Sequence, residues 1–416
     1  MTVTYAILGA GQRGTIYGRW IAAHPDRARV VAIADPDPVA RERLAAECGV
    51  PAGAVFASWQ ELLGAGTDAD SAIIATQDRD HVAPALAALA AGHHVLLEKP
   101  MALSAEDCRA IARAATASDR LFAVCHVLRY TRYTRLVRRL IAEGAIGEPV
   151  SMQHLEPVGW FHFAHSFVRG NWRNEATSSP FLLAKCTHDL DWMAHVMGTT
   201  VARVASFGSL RHFTAANAPE GATDRCTTCP HQQTCPYSAV DIYLTRPVGR
   251  PGGWPGEVLA STPEGVPDAV RTGPYGRCVY ACDNDAVDHQ VVAIEFADGT
   301  TGTLTVTAFT PLEDRQTRIF GTRGQLEGDG ATVRVFDFAT RAWTEHPVDG
   351  PEGGTGDGHG GGDGGLLSDW TAAVAANDPT VVGADVEATL AAHLAVFAAE
   401  ESRHSGRVVG VNGVTS

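Results

Sequence analysis

The chain has 416 residues, 45% hydrophobic and 19% charged, with a formal net charge of −14. That length accommodates two or three domains. The acidity and the lack of a basic stripe argue against nucleic acid as a partner, and no run of ~18 apolar residues offers a membrane span.

The first third alternates short apolar runs with helical stretches. Residues 3–8 are a strand that enters Gly9-Ala-Gly11-Gln12-Arg13-Gly14 and then an amphipathic stretch to His24. Residues 30–34 form a second strand ending on Asp35, and 41–48 are helical. Strands follow at 71–75, 95–98 and 121–125, separated by helices over 81–91 and 105–118. This order predicts a doubly wound parallel sheet, a Rossmann-type domain over residues 1–125. After a helix at 134–143 the texture changes. Alternating runs at 150–154, 201–206, 291–296, 302–309 and 315–320 predict an open, mostly antiparallel sheet with one packed face. Helices are expected at 185–197 and 386–401. Residues 126–416 are therefore read as an α+β domain for substrate binding and oligomerisation. Within it, about 217–288 is a cysteine-rich insertion and 353–365 a glycine-rich loop.

Gly9, Gly11 and Gly14 match G-x-G-x-x-G in the required context, after a strand and opening a helix. The loop, with Gln12 and Arg13, offers backbone N–H groups and a helix N-terminus to a pyrophosphate. Asp35 lies 21 residues beyond Gly14 at the end of the second strand. A carboxylate there accepts from both ribose hydroxyls and repels a 2′-phosphate, which selects NAD over NADP.

Thr76-Gln77-Asp-Arg-Asp-His81 and Gly92-His-His-Val-Leu-Leu-Glu98-Lys99-Pro100 resemble the glucose–fructose oxidoreductase/inositol dehydrogenase (Gfo/Idh/MocA) family. The resemblance implies that Thr76, Gln77 and His81 line the cofactor cleft, that Glu98 sits near the nicotinamide ribose and that Lys99 faces the substrate carbinol. It further implies an Asp-x-x-x-His motif opening the second domain. Here His188 matches the histidine, while the aspartate position is Ala184, beside Lys185. Lys99, His188 and Lys185 are thus catalytic candidates, with His359 further along the chain as a fourth and Asp191 three residues beyond His188. His126, Arg129 and Tyr130 follow the sixth strand, where the family places groups near the nicotinamide; His126 is expected at the cofactor, and Arg129, Tyr130, Trp172, Asp191 and Asp363 at the substrate. Trp172 and Arg173 form a pair suited to hydroxyl-rich ligands or to the cofactor. His359 and Asp363, flanked by glycines, would reach a cleft from a mobile loop. A similar His-Gly-Gly element occurs in relatives that act on glycosides.

The insertion carries Cys226-x-x-Cys229, Cys235 and then Cys278 and Cys282. Four thiolates make a closed structural zinc site, with Cys226, Cys229, Cys235 and Cys278 as the expected ligands and Cys282 as the alternative fourth. A four-cysteine set also serves an iron–sulfur cluster.

These features point to a cytoplasmic, homo-oligomeric NAD-dependent oxidoreductase of a carbohydrate or polyol. The amino terminus shows no basic stretch leading into an apolar run, as a secretory signal would. The alternative is a glycoside hydrolase that recycles bound NAD. The intact Glu98-Lys99-Pro100 argues against a non-catalytic NAD sensor.

Overall fold

The computed structural model describes residues 1–249, 253–260, 262–348, 359–383 and 385–413. Six strands form the first sheet: β1 (Val3–Leu8), β2 (Ala28–Ala34), β3 (Val55–Phe56), β4 (Ser71–Ile74), β5 (His94–Leu97) and β6 (Phe122–Val124). They are all parallel, in the order β3-β2-β1-β4-β5-β6. The central strands are apolar on both faces. Tyr5, Ile7, Ile73 and Leu96 belong to one core layer, and Leu8, Ala72, Ile74 and Leu97 to the other, as expected when helices cover both sides. The strand order reverses between β1 and β4. Such a switch point opens a crevice at the carboxyl ends of the strands, where ligands bind.

The second sheet has nine strands: β7 (Pro149–Pro157), β8 (Val201–Ser209), β9 (His289–Phe296), β10 (Thr301–Thr307), β11 (Gln316–Gly321), β12 (Gly324–Gly328), β13 (Thr332–Asp337), β14 (Ala342–Pro347) and β15 (Val409–Gly410). Their order is β14-β13-β12-β11-β7-β10-β9-β8-β15, and only the β7–β10 pair is parallel. The inner face packs on the helices Phe181–Met197 and Val386–Ser405. The sequence reading missed β12–β14; β12 and β13 alternate but are short, with few large apolar residues. In β14 no residue is buried.

Two expectations change. The end of the glycine-rich stretch is not a loop: a turn at His359–Gly361 leads directly into a helix, Gly362–Ala376, while residues 353–358 lie outside the described part. This helix returns to the first sheet. Trp370 is fully buried there and donates from Nε1 to Ser71 Oγ at 3.1 Å, and Thr371 Oγ1 lies 2.8 Å from Tyr5 OH. The glycines serve close approach, since a Cβ on Gly365 would stand 2.6 Å from the Tyr130 carbonyl oxygen. The cysteine-rich insertion, in which little periodicity promised a core, packs with the Trp160–Phe163 helix. Phe161, Ala239, Ile242, Tyr243 and Val270 form a small apolar core. No helix among the described residues is long and apolar enough to cross a membrane.

Trp370→Ala would open a cavity between the returning helix and the first sheet. We expect a loss of about 3–5 kcal/mol in urea unfolding; a loss below about 1 kcal/mol would mean that the helix adds little to the first domain.

Candidate active site

The loop after β1 is shaped for a phosphate group. Gly9 has a φ of +105°, and a Cβ there would collide with the carbonyl of Ala75 at the end of β4. Gly11 is exposed, with nothing within 4 Å of the position a Cβ would take. A side chain would fill that space, which is the space a pyrophosphate needs. Gly11 also caps the Gln12–Ala23 helix without any side-chain hydrogen bond, so the first N–H groups face outward, free for an anion. Asp35 is fixed against this loop: its carboxylate accepts from Ala10 N at 2.6 Å and from Asp37 N at 2.8 Å. Gln12 and Gln77 are exposed at the same edge. The residues present therefore fit a dinucleotide.

Arg13 was expected at the phosphates, but the structure turns it inward. Its Nε donates to Glu98 Oε1 at 2.6 Å and its Nη2 to Tyr17 OH at 2.5 Å and to Asp363. Tyr17 OH in turn donates to Glu98. Burial alone would raise the Glu98 pKa. The Arg13 guanidinium, the hydrogen bonds from Tyr17 and Arg13, and nearby Lys99 outweigh it and hold the carboxyl below its usual range. Asp363, expected as a substrate contact in a mobile loop, is instead a 1% exposed partner of Arg13 in the first turn of the returning helix. Of His359, only the backbone turn is described; its side chain lies outside.

Glu98 Oε2 accepts the backbone N–H of Lys99 at 3.0 Å. The Lys99 side chain then crosses to the second domain, where Nζ donates to the Ala184 carbonyl at 2.8 Å. The main force on this amine is burial, which lowers its pKa, helped by Lys185 and Arg13; Glu98 and Asp78 work in the opposite direction without cancelling the fall. Lys185, the next residue on the same helix, pairs with Glu156 Oε1 of β7 at 3.0 Å. Glu156 is itself held by Arg315 at 2.9 Å, and Arg315 also binds Asp189. Sequence reasoning missed Glu156, Asp189 and Arg315. It also missed His162, a half-buried histidine whose pKa is driven well down by desolvation and by neighbouring Lys185, His165 and Lys99. The one visible signal was a histidine among aromatics, Trp160-Phe161-His162-Phe163.

His188 is buried, its ring edge-on to His126 with centroids 6.0 Å apart. Burial drives the His126 pKa down to about 3 despite Asp191 at 3.6 Å, so His126 is neutral at ordinary pH. Asp191 is gripped by both arms of Arg129, at 2.7 and 2.5 Å. Arg129 and Asp191 thus join the end of β6 to the Phe181–Met197 helix. They were expected as substrate contacts, and each is taken up by the other. Tyr130 is likewise committed elsewhere, donating to Val382 O at 2.8 Å.

His81 is fully buried and braces two loops, with Nδ1 2.7 Å from Pro100 O and Nε2 3.3 Å from Thr76 O. Thr76 Oγ1 donates to Asp80 O. Trp172 donates from Nε1 to Asp78 Oδ2 at 3.2 Å. With Gln77 and Arg173 it lines a cleft of about 540 Å³ between the two domains. Arg173 pairs through its Nε with Asp283 at 3.0 Å.

The expected tetrahedral zinc site is not formed. Among the described residues no group of three or more His, Cys, Asp or Glu side chains is placed to hold a metal ion. All nine cysteines are unpaired. Cys278 lines one small pocket with Cys226, Cys229 and Cys235, whereas Cys282 turns to the Cys278 carbonyl at 3.2 Å.

Residues 3–126 match the family described as "Oxidoreductase family, NAD-binding Rossmann fold" (GFO_IDH_MocA), and residues 138–411 match its C-terminal alpha/beta domain. A 2,7-anhydro-N-acetylneuraminate hydratase of Escherichia coli is 29% identical over 209 residues, covering 50% of this chain and 52% of the relative. Inositol 2-dehydrogenase 1 of Saccharopolyspora erythraea is 36% identical over 153 residues, covering 36% of this chain and 44% of the relative. The chain spans about half the length of the curated relatives it matches. Among solved structures, a levoglucosan dehydrogenase in complex with NADH superposes with a TM-score of 0.73 at 18% identity over 99% of both chains. At that identity the likeness concerns the fold.

Two substitutions test this geometry. Asp35→Ser should raise KM for NAD about tenfold by weakening the charge-assisted hydrogen bonds to the ribose, a net loss of about 1.5 kcal/mol, and should narrow the NAD over NADP preference; an unchanged ratio would remove Asp35 from cofactor selection. Arg13→Met should destabilise the fold by about 3 kcal/mol, because it leaves Glu98 and Asp363 buried without their cation. Chemical denaturation reads this loss, and a variant as stable as the parent would refute the cluster.

Proposed function

The chain belongs to the Gfo/Idh/MocA oxidoreductase family, and from that premise we propose that it is a NAD-dependent oxidoreductase of a carbohydrate or polyol. The observation that carries this reading is the Lys99 amine, partly buried at the end of β5 and held against the Ala184 carbonyl at 2.8 Å. When bound, a nicotinamide dinucleotide supplies a hydride acceptor at this edge of the sheet. Gly9, Gly11, Gly14 and Asp35 position it. Lys99 handles the hydroxyl proton. Its lowered pKa makes the neutral amine available as a base nearer neutral pH than a free lysine allows. Ala184 removes the family's carboxylate, and the carbonyl of the same residue takes the amine instead. His188, next to neutral His126, supplies a second polar face to the substrate hydroxyls.

A second reading is supported by the Lys185–Glu156 pair. It provides an acid–base couple separate from Lys99, as a hydratase or glycoside-cleaving reaction with recycled NAD requires. Phe207 and Val291 are cross-strand neighbours on the outer face of the second sheet, and both are exposed. They support self-association through that face, as a dimer or tetramer. Unpaired cysteines support a reducing, cytoplasmic setting.

Incubation with NAD and a panel of polyols and free sugars should produce NADH, read at its absorbance band. Aglycone release from nitrophenyl glycosides without net NADH would favour the second reading. In either case Lys99→Met should lower kcat by about a hundredfold or more. For alcohol oxidation by the parent, kcat/KM should climb with pH and level off below 10.5, the ordinary lysine value, because lowering the pKa extends the neutral base to lower pH. The climb should vanish in Lys99→Met. A variant with parental rates would end the assignment.

A further inference from the structure

The cysteine-rich insertion holds a set of groups that the oxidoreductase reading does not use. Cys226 and Cys229 lie on a short turn, Cys226–Thr228. The chain then passes Cys235 and returns through a bridge between Arg225 and Arg277, which brings Cys278 N to within 2.8 Å of Asp224 O. Cys226, Cys229, Cys235 and Cys278 thereby line one small pocket. Cys226, Cys229 and Cys278 are buried, with exposures of 6, 8 and 7%.

A second, independent observation comes from Arg169. This residue ends a wide turn, Ala164–Arg169, and is 1% exposed. Its Nε donates to Arg277 O at 2.8 Å, and its Nη2 to Tyr237 O at 2.6 Å and to Cys226 Sγ at 3.6 Å. Its Nη1 has no hydrogen-bond partner, and among the described residues no carboxylate pairs with it. A guanidinium does not lose its proton, so a full positive charge is buried beside four thiols, with one nitrogen unspent. Burying such a charge is costly unless an anion meets it.

The thiols surround the pocket without converging on a point. No three of them are placed to share one ion, as a tetrahedral zinc would demand. Thiolates that bind different iron atoms of a cluster stand farther apart, around a space that the cluster fills. We infer that Cys226, Cys229, Cys235 and Cys278 hold an iron–sulfur cluster, with Arg169 as its buried counter-cation. On binding, each thiol releases its proton to solvent and each sulfur forms one bond to iron. The four thiolates outnumber the positive charges of an oxidised core, so the bound group is an anion. Arg169 would supply the buried positive charge that meets it, with Nη1 the donor left unspent. The role is to pin the insertion to the second domain; no electron transfer is invoked.

The test is the iron and acid-labile sulfide content of the full chain, purified without oxygen from iron-supplemented cells. We expect equal amounts, about two or about four of each per chain, with a broad visible absorption that bleaches on adding dithionite. Cys229→Ser should lose most of the iron, while Cys282→Ser, whose sulfur faces away from the pocket, should keep it. Far-UV circular dichroism of both variants separates cluster loss from unfolding. Zinc without sulfide overturns the inference. So does a chain that is empty as purified and takes up nothing on reconstitution with iron salts and sulfide, or equal iron loss in the two variants.

Discussion

Glu98 has to be ionised inside the protein, and much of the site follows from how that is arranged. A carboxylate with 4% exposure is expensive to bury alone. Arg13 from the glycine loop, Tyr17 one turn further along its helix and the backbone of Lys99 together surround it. Arg13 is shared with Asp363, so a second buried carboxylate is satisfied by the same cation. One guanidinium therefore ties the phosphate-binding loop, the end of β5 and the returning carboxyl-terminal helix into a single rigid unit. Lys99 is aimed from this unit, and its neighbour Glu98 keeps the amine's pKa from falling as far as burial alone would take it.

The second domain completes the site with backbone as well as side chains. At Ala184 the missing carboxylate leaves room for the Lys99 amine to reach the helix carbonyl directly. Carboxylates appear one layer away instead, as Glu156 and Asp189, bridged by Arg315 and touched by Lys185 and His154. Glu156 and Asp189 are buried and Arg315 joins them, which favours one arrangement of the β7 edge over alternatives. The Val386–Ser405 helix locks the two halves together from behind, where His393 Nε2 accepts from Met101 N at 2.8 Å.

Features that depend on neighbours in sequence were legible. The strand, glycine turn and helix over residues 3–23, and Asp35 at the next strand end, follow from local chemistry and period. Lys99 and His188 were reached through resemblance. What was misassigned shares one cause. Arg13 was read by its loop position, but its partners lie 85 and 350 positions away. Arg129 and Tyr130 were polar groups at a strand end and Asp191 one on a helix, and the structure pairs them with each other or with a distant carbonyl. The glycines at 362 and 365 suggested mobility by composition, whereas they allow a helix to lie directly on the Val127–Tyr130 turn. Spacing placed four cysteines together, but spacing does not determine the distance between sulfurs.

By itself the sequence determined the class of fold, the dinucleotide loop and the presence of a lysine at the edge of the sheet. Each of these is specified by hydrophobic period or by residues within one turn. The tertiary structure alone decided which charges meet. A buried ion pair is chosen by whichever elements the core packing brings within about 4 Å, and that choice made Arg13 a strut, Asp363 its anchor and the Ala184 carbonyl the rest of Lys99.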